Sequence, residues 1–181
     1  MQIRSIFTVL LTLKKYKKEM NSLFAQLFTS LQTHIATAVP EIQGILPEMG
    51  QTEIYSSVPA IWPCVFIDFN SVTFTEILNQ GQRANGELQL RLVYYVLADD
   101  GVTFLDTTTV MGYYEVERKL HEALQGWSSD GINPLSRIKV NTEVRSDAFR
   151  ARVLTYSLDF EEYLPVSTVP GSKPQLAINV L

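Results

Sequence analysis

Few side chains in this sequence are of types that do chemistry, and they are scattered along the chain. It holds two histidines, His34 and His121, a lone cysteine, Cys64, and carboxylates without an evident pattern. A hydrolase of the nucleophilic kind needs a nucleophile, a base and a group that orients the base. Each histidine instead falls in a helical pattern among polar neighbours, outside any recognisable motif, and His34 reads as a solvated or hydrogen-bonded helix residue. Asp68 stands among apolar residues in a strand-like stretch and is the best candidate for a perturbed carboxylate. An outward-facing aspartate, or one paired with an arginine such as Arg91, is the plainer expectation. Cys64 has no disulfide partner and no companion ligands for a metal, so it is expected as a buried, inert strand residue in a reducing compartment. Glu115-Val116-Glu117 and Glu161-Glu162 read as solvated faces. Gly81 and Gly86 flank a hairpin turn and not the strand-to-helix junction of a phosphate-cradling loop. With no metal-ligand spacing, the expectation is no catalytic residue, no metal and no cofactor.

The elements that position these residues are easier to read. From Glu87 to Leu97, Leu88, Leu90, Leu92, Tyr94 and Val96 fall on one face and Gln89, Arg91, Val93, Tyr95 and Leu97 on the other, the period of two of a strand. A partner strand runs from Pro63 to Ile77, and the polar segment from Leu78 to Gly86 is expected as the turn between them. In that partner Val65, Ile67 and Phe69 share a face, but Val72 and Phe74 have the opposite parity. A slip of one residue near Asn70-Ser71 predicts a bulge that bends the hairpin.

Before the hairpin, Asn21-Ser22 supplies a cap and Leu23, Phe24, Leu27, Phe28, Leu31, Ile35 and Ala38 recur at helical steps as far as Pro40. Pro40 to Pro63 is punctuated by proline and glycine and is expected as loop, with one short strand near Thr52 to Ser56. After Ala98-Asp99-Asp100-Gly101, Asp106 caps a second helix that buries Val110, Tyr113, Val116, Leu120, Ala123, Leu124 and Trp127. Two strands follow, Arg137 to Arg145 and Phe149 to Tyr163. The order helix, strand, strand, helix, strand, strand predicts an α+β fold: a four-stranded antiparallel sheet, both helices packed on one face, a long hairpin and extended termini. The face left over still carries Val93, Tyr95 and Leu97, so a second layer is expected there, from the 40–60 loop or another subunit.

At 181 residues, 46% hydrophobic and 19% charged, the composition is globular, and the length fits one domain with appendages. The division expected is an extension at 1–19, a single domain at 20–164 and an extended arm at 165–181. The net charge of −4 divides into +4 over residues 1–20 and −8 over the rest, so an acidic body argues against nucleic-acid binding. The apolar run Ile6 to Leu13 is too short to span a bilayer. Residues 1–19 fit a docking arm, a membrane-surface helix or sequence upstream of a start at Met20; the last is favoured, because Met20 directly precedes a well-formed helix start. The tail joins a proline-rich linker to Leu176-Ala177-Ile178-Asn179-Val180-Leu181, either a short strand seeking an edge or a disordered terminus.

The opening helix, the entry Val58-Pro59 to Pro63, the strand Gly86 to Val96, the helix ending Leu120-His121-Glu122-Ala123-Leu124-Gln125-Gly126-Trp127 and the closing strand ending Leu158-Asp159-Phe160-Glu161-Glu162-Tyr163 together form a layout. From about Asn21 to Pro165 that layout resembles the tail terminator, or tail completion, proteins of long-tailed bacteriophages, including Mu-like prophage tail proteins. The resemblance implies a structural virion subunit, assembled in the bacterial cytoplasm, that forms a homo-oligomeric ring, typically a hexamer. Such a ring caps the tail tube and faces the head-completion or connector protein, binding no specific nucleic acid and spanning no membrane. Arg83, on the hairpin turn, Val93, Tyr95 and Leu97, on the spare face, and Ile178 and Val180, in the terminal arm, are the expected interface residues. The rival readings are another head-tail connector or a tail-tube subunit and, outside the class, a small hydrolase or ligand-binding module with a pocket near Asp68 or His121.

Overall fold

The computed structural model describes residues 22–53, 61–77, 81–96, 106–129, 131–145 and 147–163. Among these residues two helices and five strands follow one another as α1 (Leu23–Ala38), β1 (Gly44–Pro47), β2 (Cys64–Ile77), β3 (Gly81–Tyr95), α2 (Thr107–Leu124), β4 (Ser136–Thr142) and β5 (Phe149–Tyr163). The strands form one mixed sheet in the order β1-β2-β3-β5-β4.

The fold is α+β, but the four-stranded antiparallel sheet of the sequence reading is corrected to five strands. β1 pairs parallel to the start of β2, with Gly44 opposite Cys64 and Pro47 opposite Ile67, while the other pairings are antiparallel. The extra strand lies some residues before the short strand expected near Thr52 to Ser56; Thr52 and Glu53 are in a turn, and 54–56 lie outside the described residues. Gly44-Ile45-Leu46-Pro47 is too short to show a period, and its proline fits only an edge strand.

The helix-side face of the sheet follows the alternation. Val65, Ile67, Leu88, Leu90, Leu92, Leu154 and Tyr156 are buried there beneath Leu27, Leu31 and Ile35 of α1 and Leu120 and Leu124 of α2. The expected bulge is present: the β2–β3 register shifts between Asn70 and Thr73, and Ser71 has a φ of 51°. Its effect is to keep the parity change harmless. Phe69 pairs with Leu88, and after the extra residue Phe74 pairs with Ala84. Phe74 thus stays on the helix face and meets Phe160 edge-on at 6.3 Å. Gly86 sits under the bulge, where a Cβ would stand 2.7 Å from Val72 Cγ2 and 2.8 Å from Val72 Cα. That close approach requires glycine.

The long polar turn is also corrected. β3 begins at Gly81, so the connection shrinks to residues 78–80, which lie outside the described residues, and Arg83 is a strand residue. Gln82 to Gly86 read as turn by composition, yet Gln82 to Asn85 are laddered on both sides, by β2 and by β5, and Gly86 by β5. At the ends of the helices, Ser22 holds the N-cap position of α1 without a side-chain bond. Asp106 caps α2 as expected, accepting from Thr109 N at 2.9 Å. Gly126, at φ +78°, turns the chain out of α2, and its N–H donates to Leu135 O at 2.8 Å.

Candidate functional site

The face of the sheet away from the helices has two zones. At one end Cys64, Phe66, Val93, Phe149 and Ala151 form a second small core, with Leu46 and Trp62 packed on it. Val93 was expected as a free interface residue, and this is corrected: it is fully buried. The alternation put it on the right face, but Leu46 and Trp62 come from elements that precede the hairpin and cover it. Tyr95, beside it, is 48% exposed, stacked at 6.5 Å on Trp62 and edge-on at 5.5 Å to Phe149. Of the second layer expected from the 40–60 loop or another subunit, Leu46 comes from that loop and Trp62 from just beyond it.

A cluster of charges fastens that layer down. Arg91, whose side chain is only 13% exposed, points from the middle of β3 toward two neighbouring segments, 48–53 and the one holding Glu143. It donates to Glu143 from Nε at 2.8 Å and from Nη2 at 2.6 Å, the fork geometry that suits a carboxylate. It also reaches Thr52 Oγ1 at 2.6 Å, Glu53 at 3.0 Å and Glu48 at 3.3 Å. Arg145 adds Glu53 at 2.7 Å, the Thr52 carbonyl at 3.2 Å and Asp147, while its guanidinium lies 5.7 Å from the Phe149 ring centre. The bonds from Arg145 and Arg91 hold the Glu53 carboxyl at about 2. Arg145 likewise keeps Asp147 below the usual carboxylate range. Burial pulls Arg91 down, but the bonds and charge of Glu143 and Glu53 outweigh it and leave the guanidinium above its ordinary value. The four carboxylates are thus occupied by arginines, and among the described residues no group of histidine, cysteine, aspartate and glutamate is placed to hold a metal ion.

The residues considered for catalysis do not meet. Asp68 is exposed on the outer face, opposite Gln89 in the ladder, which is the plainer expectation. It lines a shallow cavity of about 230 Å³ with Glu48, Glu53, Phe66, Arg91 and Glu143, among others. His121 lies on the other side of the sheet, with Nδ1 3.2 Å from the hydroxyl of Tyr156. Burial, helped by the charge of Arg137, lowers its pKa. His34 Nε2 donates to Ala123 O at 2.6 Å and stacks on Trp127 at 5.4 Å, tying α1 to the end of α2 as a hydrogen-bonded helix residue. Cys64 is fully buried, donates to Ile61 O at 2.8 Å, and burial pushes its thiol up to about 11, the reverse of what a nucleophile needs. Glu117, read as part of a solvated face, instead grips Arg152 at 2.7 and 3.0 Å.

Of the expected interface residues, Arg83 is exposed and bonded to Glu161 of the same chain at 2.7 Å. It borders a hollow of about 590 Å³ with Ile132, Phe160 and Tyr163. Leu97, Ile178 and Val180 lie outside the described residues. Sequence reasoning missed Trp62, Phe149, Arg145 and Arg150, whose neighbours are set by register between strands far apart in the chain. The one available signal was the arginine-rich opening of β5, Phe149-Arg150-Ala151-Arg152. No helix among the described residues is long and apolar enough to cross a membrane. Comparison with known proteins leaves the family open: no protein-family model matches the chain, and no curated protein matches it in sequence.

Proposed function

We propose that this chain is a structural subunit of a bacteriophage tail, of the terminator type, which forms a ring on the end of the tail tube and offers its other side to the head connector. The layout described above, from α1 to β5, is what suggests the family. The observation that carries the reading is the length of the central strands. β2, β3 and β5 have 14, 15 and 15 residues, about 45 to 50 Å of strand, whereas α1 and α2, with 16 and 18 residues, are about 24 and 27 Å long. Neither helix spans the sheet lengthwise. β2 accordingly passes from four buried residues at its start to exposed and half-buried ones from Asp68 onward, and Phe74 and Tyr163 at the far end are 45% and 60% exposed. A blade of this kind, unlike at its two ends, suits head-to-tail contacts that close by rotation.

The test is to mix the purified chain with isolated tail tubes and view them by negative-stain electron microscopy, with light scattering on the chain alone. A ring of density at one end of the tubes is expected. A chain that neither self-associates nor binds tubes refutes the reading. So does turnover of a substrate that Asp68→Ala or His121→Ala abolishes, since that is the outcome of the rival catalytic reading.

A further inference from the structure

The two ends of the blade carry opposite charges on the same face, and neither set has an ion-pair partner among the described residues. At the end where α2 begins, Arg150 lies opposite Tyr94 in the β3–β5 ladder and turns to the helix side. Its guanidinium lies 6.0 Å from the ring centre of Tyr113 and 5.4 Å from that of Tyr114, and it donates to the Tyr114 hydroxyl at 3.2 Å. No carboxylate pairs with it among the described residues, and its buried Nε has no hydrogen-bond partner. The described acids nearby are engaged: Glu117 by Arg152, and Asp106 by its capping bonds to Thr109. The surface around Arg150 is apolar and open, with Met111 57% and Tyr114 44% exposed.

At the far end, twelve residues along β3 and so about 40 Å away, Gln82 lies between Glu76 of β2 and Glu162 of β5 in one lateral row. Their parity, shared with Phe74 and Phe160, puts both glutamates on the helix face. Neither has a cation partner among the described residues, and the half-exposed Phe74 adjoins them. A cation framed by aromatic rings at one end thus matches two carboxylates beside an aromatic ring at the other. The separation forbids them from meeting within one chain.

We propose that these are the two halves of one heterologous interface: the Arg150–Tyr113–Tyr114 surface of one copy receives the Glu76–Glu162 row, with Phe74, of the next. The occupant is a second copy of this chain, because the chain itself carries the complementary charge at the opposite end. Contacts of this kind join head to tail and close as a ring when the rotation allows. The interface deepens the ring reading above and rests on it. An arginine held between tyrosines presents its remaining donors to a carboxylate with little freedom left to lose.

The experiment uses the full chain and measures association by sedimentation velocity over a concentration series, alone and with tail tubes. Variant one is Arg150→Glu; variant two combines Glu76→Lys with Glu162→Lys. Each alone juxtaposes like charges and should weaken self-association by about tenfold or more, with the melting temperature of variant two unchanged. An equimolar mixture of the two should assemble again, alternating around the ring, since every junction then pairs opposite charges; this rescue also shows that both variants fold. Rings that form undiminished with both variants, or a mixture that fails to assemble, overturn the interface and leave the ring reading standing. A wild-type chain that stays monomeric up to millimolar concentration and on tubes overturns both. If a chain starting at Met20 behaves like variant two, residues 1–19 answer the glutamates and the proposed pairing is wrong.

Discussion

Arg91→Met removes the hub of the outer-face charge cluster while keeping an unbranched stem between Phe66 and Val153, its neighbours in the ladder. Its consequence can be worked from the three carboxylates it leaves behind. Glu53, 58% exposed, keeps Arg145 at 2.7 Å and loses little. Glu48, 22% exposed, loses a 3.3 Å contact but still accepts from Gly50 N at 2.8 Å. Glu143, 29% exposed, loses both arms of its fork and retains only Arg145 at 3.5 Å. Stripping one partner from a fully buried pair costs about 3 to 5 kcal/mol, and the partial exposure of Glu143 reduces this to about 2 to 3 kcal/mol. For a domain of this size that is a fall of about 4 to 12 °C in melting temperature.

The companion variant Arg91→Met with Glu143→Met should recover part of the loss, because removing both members of a pair leaves no unanswered charge. Arg91→Lys should fall between, since an ammonium keeps the charge but not the fork. Calorimetry and urea unfolding of the four proteins provide the measurement. A single variant melting within about 1 °C of wild type, or a double variant no more stable than the single, would mean that the cluster is a surface ornament and that Leu46 and Trp62 alone hold the outer layer.

Stability should fall on acidification between about pH 4.5 and 2, because Glu53 is depressed from 4.5 to about 2 and Asp147 is also lowered; a depressed carboxylate contributes above its unfolded pKa and loses that contribution as pH drops through the folded one. Urea midpoints across this range check it, and a flat profile would contradict the pairing. Gly86→Ala should cost about 1 to 3 kcal/mol through overpacking against the bulge, and Val72→Ala should not rescue it, since the backbone Cα of Val72 stands as close as its methyl. Cys64 should react with thiol reagents only as fast as the protein unfolds, given its burial and raised pKa; rapid labelling of the native chain would disprove its placement. Arg83→Ala should shift the melting temperature by no more than about 2 °C, because its bond to Glu161 joins side chains 55% and 37% exposed.

What was legible in the sequence divides along physical lines. Patterns that depend on one element alone were readable: the alternation of Leu88, Leu90, Leu92 and Tyr94, the cap at Asp106, and the parity slip that marks the bulge. Elements stabilised by their neighbours were not. β1 has four residues and no period, and it exists because the start of β2 offers it an edge. Gln82 to Gly86 have turn-like composition because Arg83 and Asn85 are exposed and Gly86 must stay small beneath the bulge. For the candidate site the same division holds. The unpaired face of β3 was visible, but its cover by Trp62 and Leu46 was not, since the register that brings Phe149 opposite Tyr95 joins residues far apart in the chain. Arg150 could not be distinguished from Arg152 by sequence; α2 supplies a carboxylate to one and two tyrosines to the other.

The sheet also separates what holds the chain folded from what is proposed to join it to others. Arg91 and Arg150 lie on opposite faces and three ladder positions apart, about 10 Å along the strand, and they share no partner in the structure. At that separation their effects should add with little coupling. Arg91→Met should therefore lower the melting temperature while leaving the affinity of copy for copy nearly unchanged, and the reversal at Glu76 and Glu162 should do the opposite. If instead both properties moved together in both variants, the outer layer would have to reach the interface, either by ordering the far end of the blade or by contacting the neighbour itself. The charge-swap mixture would then recover association only when Arg91 was intact, which combining Arg91→Met with each reversal would reveal.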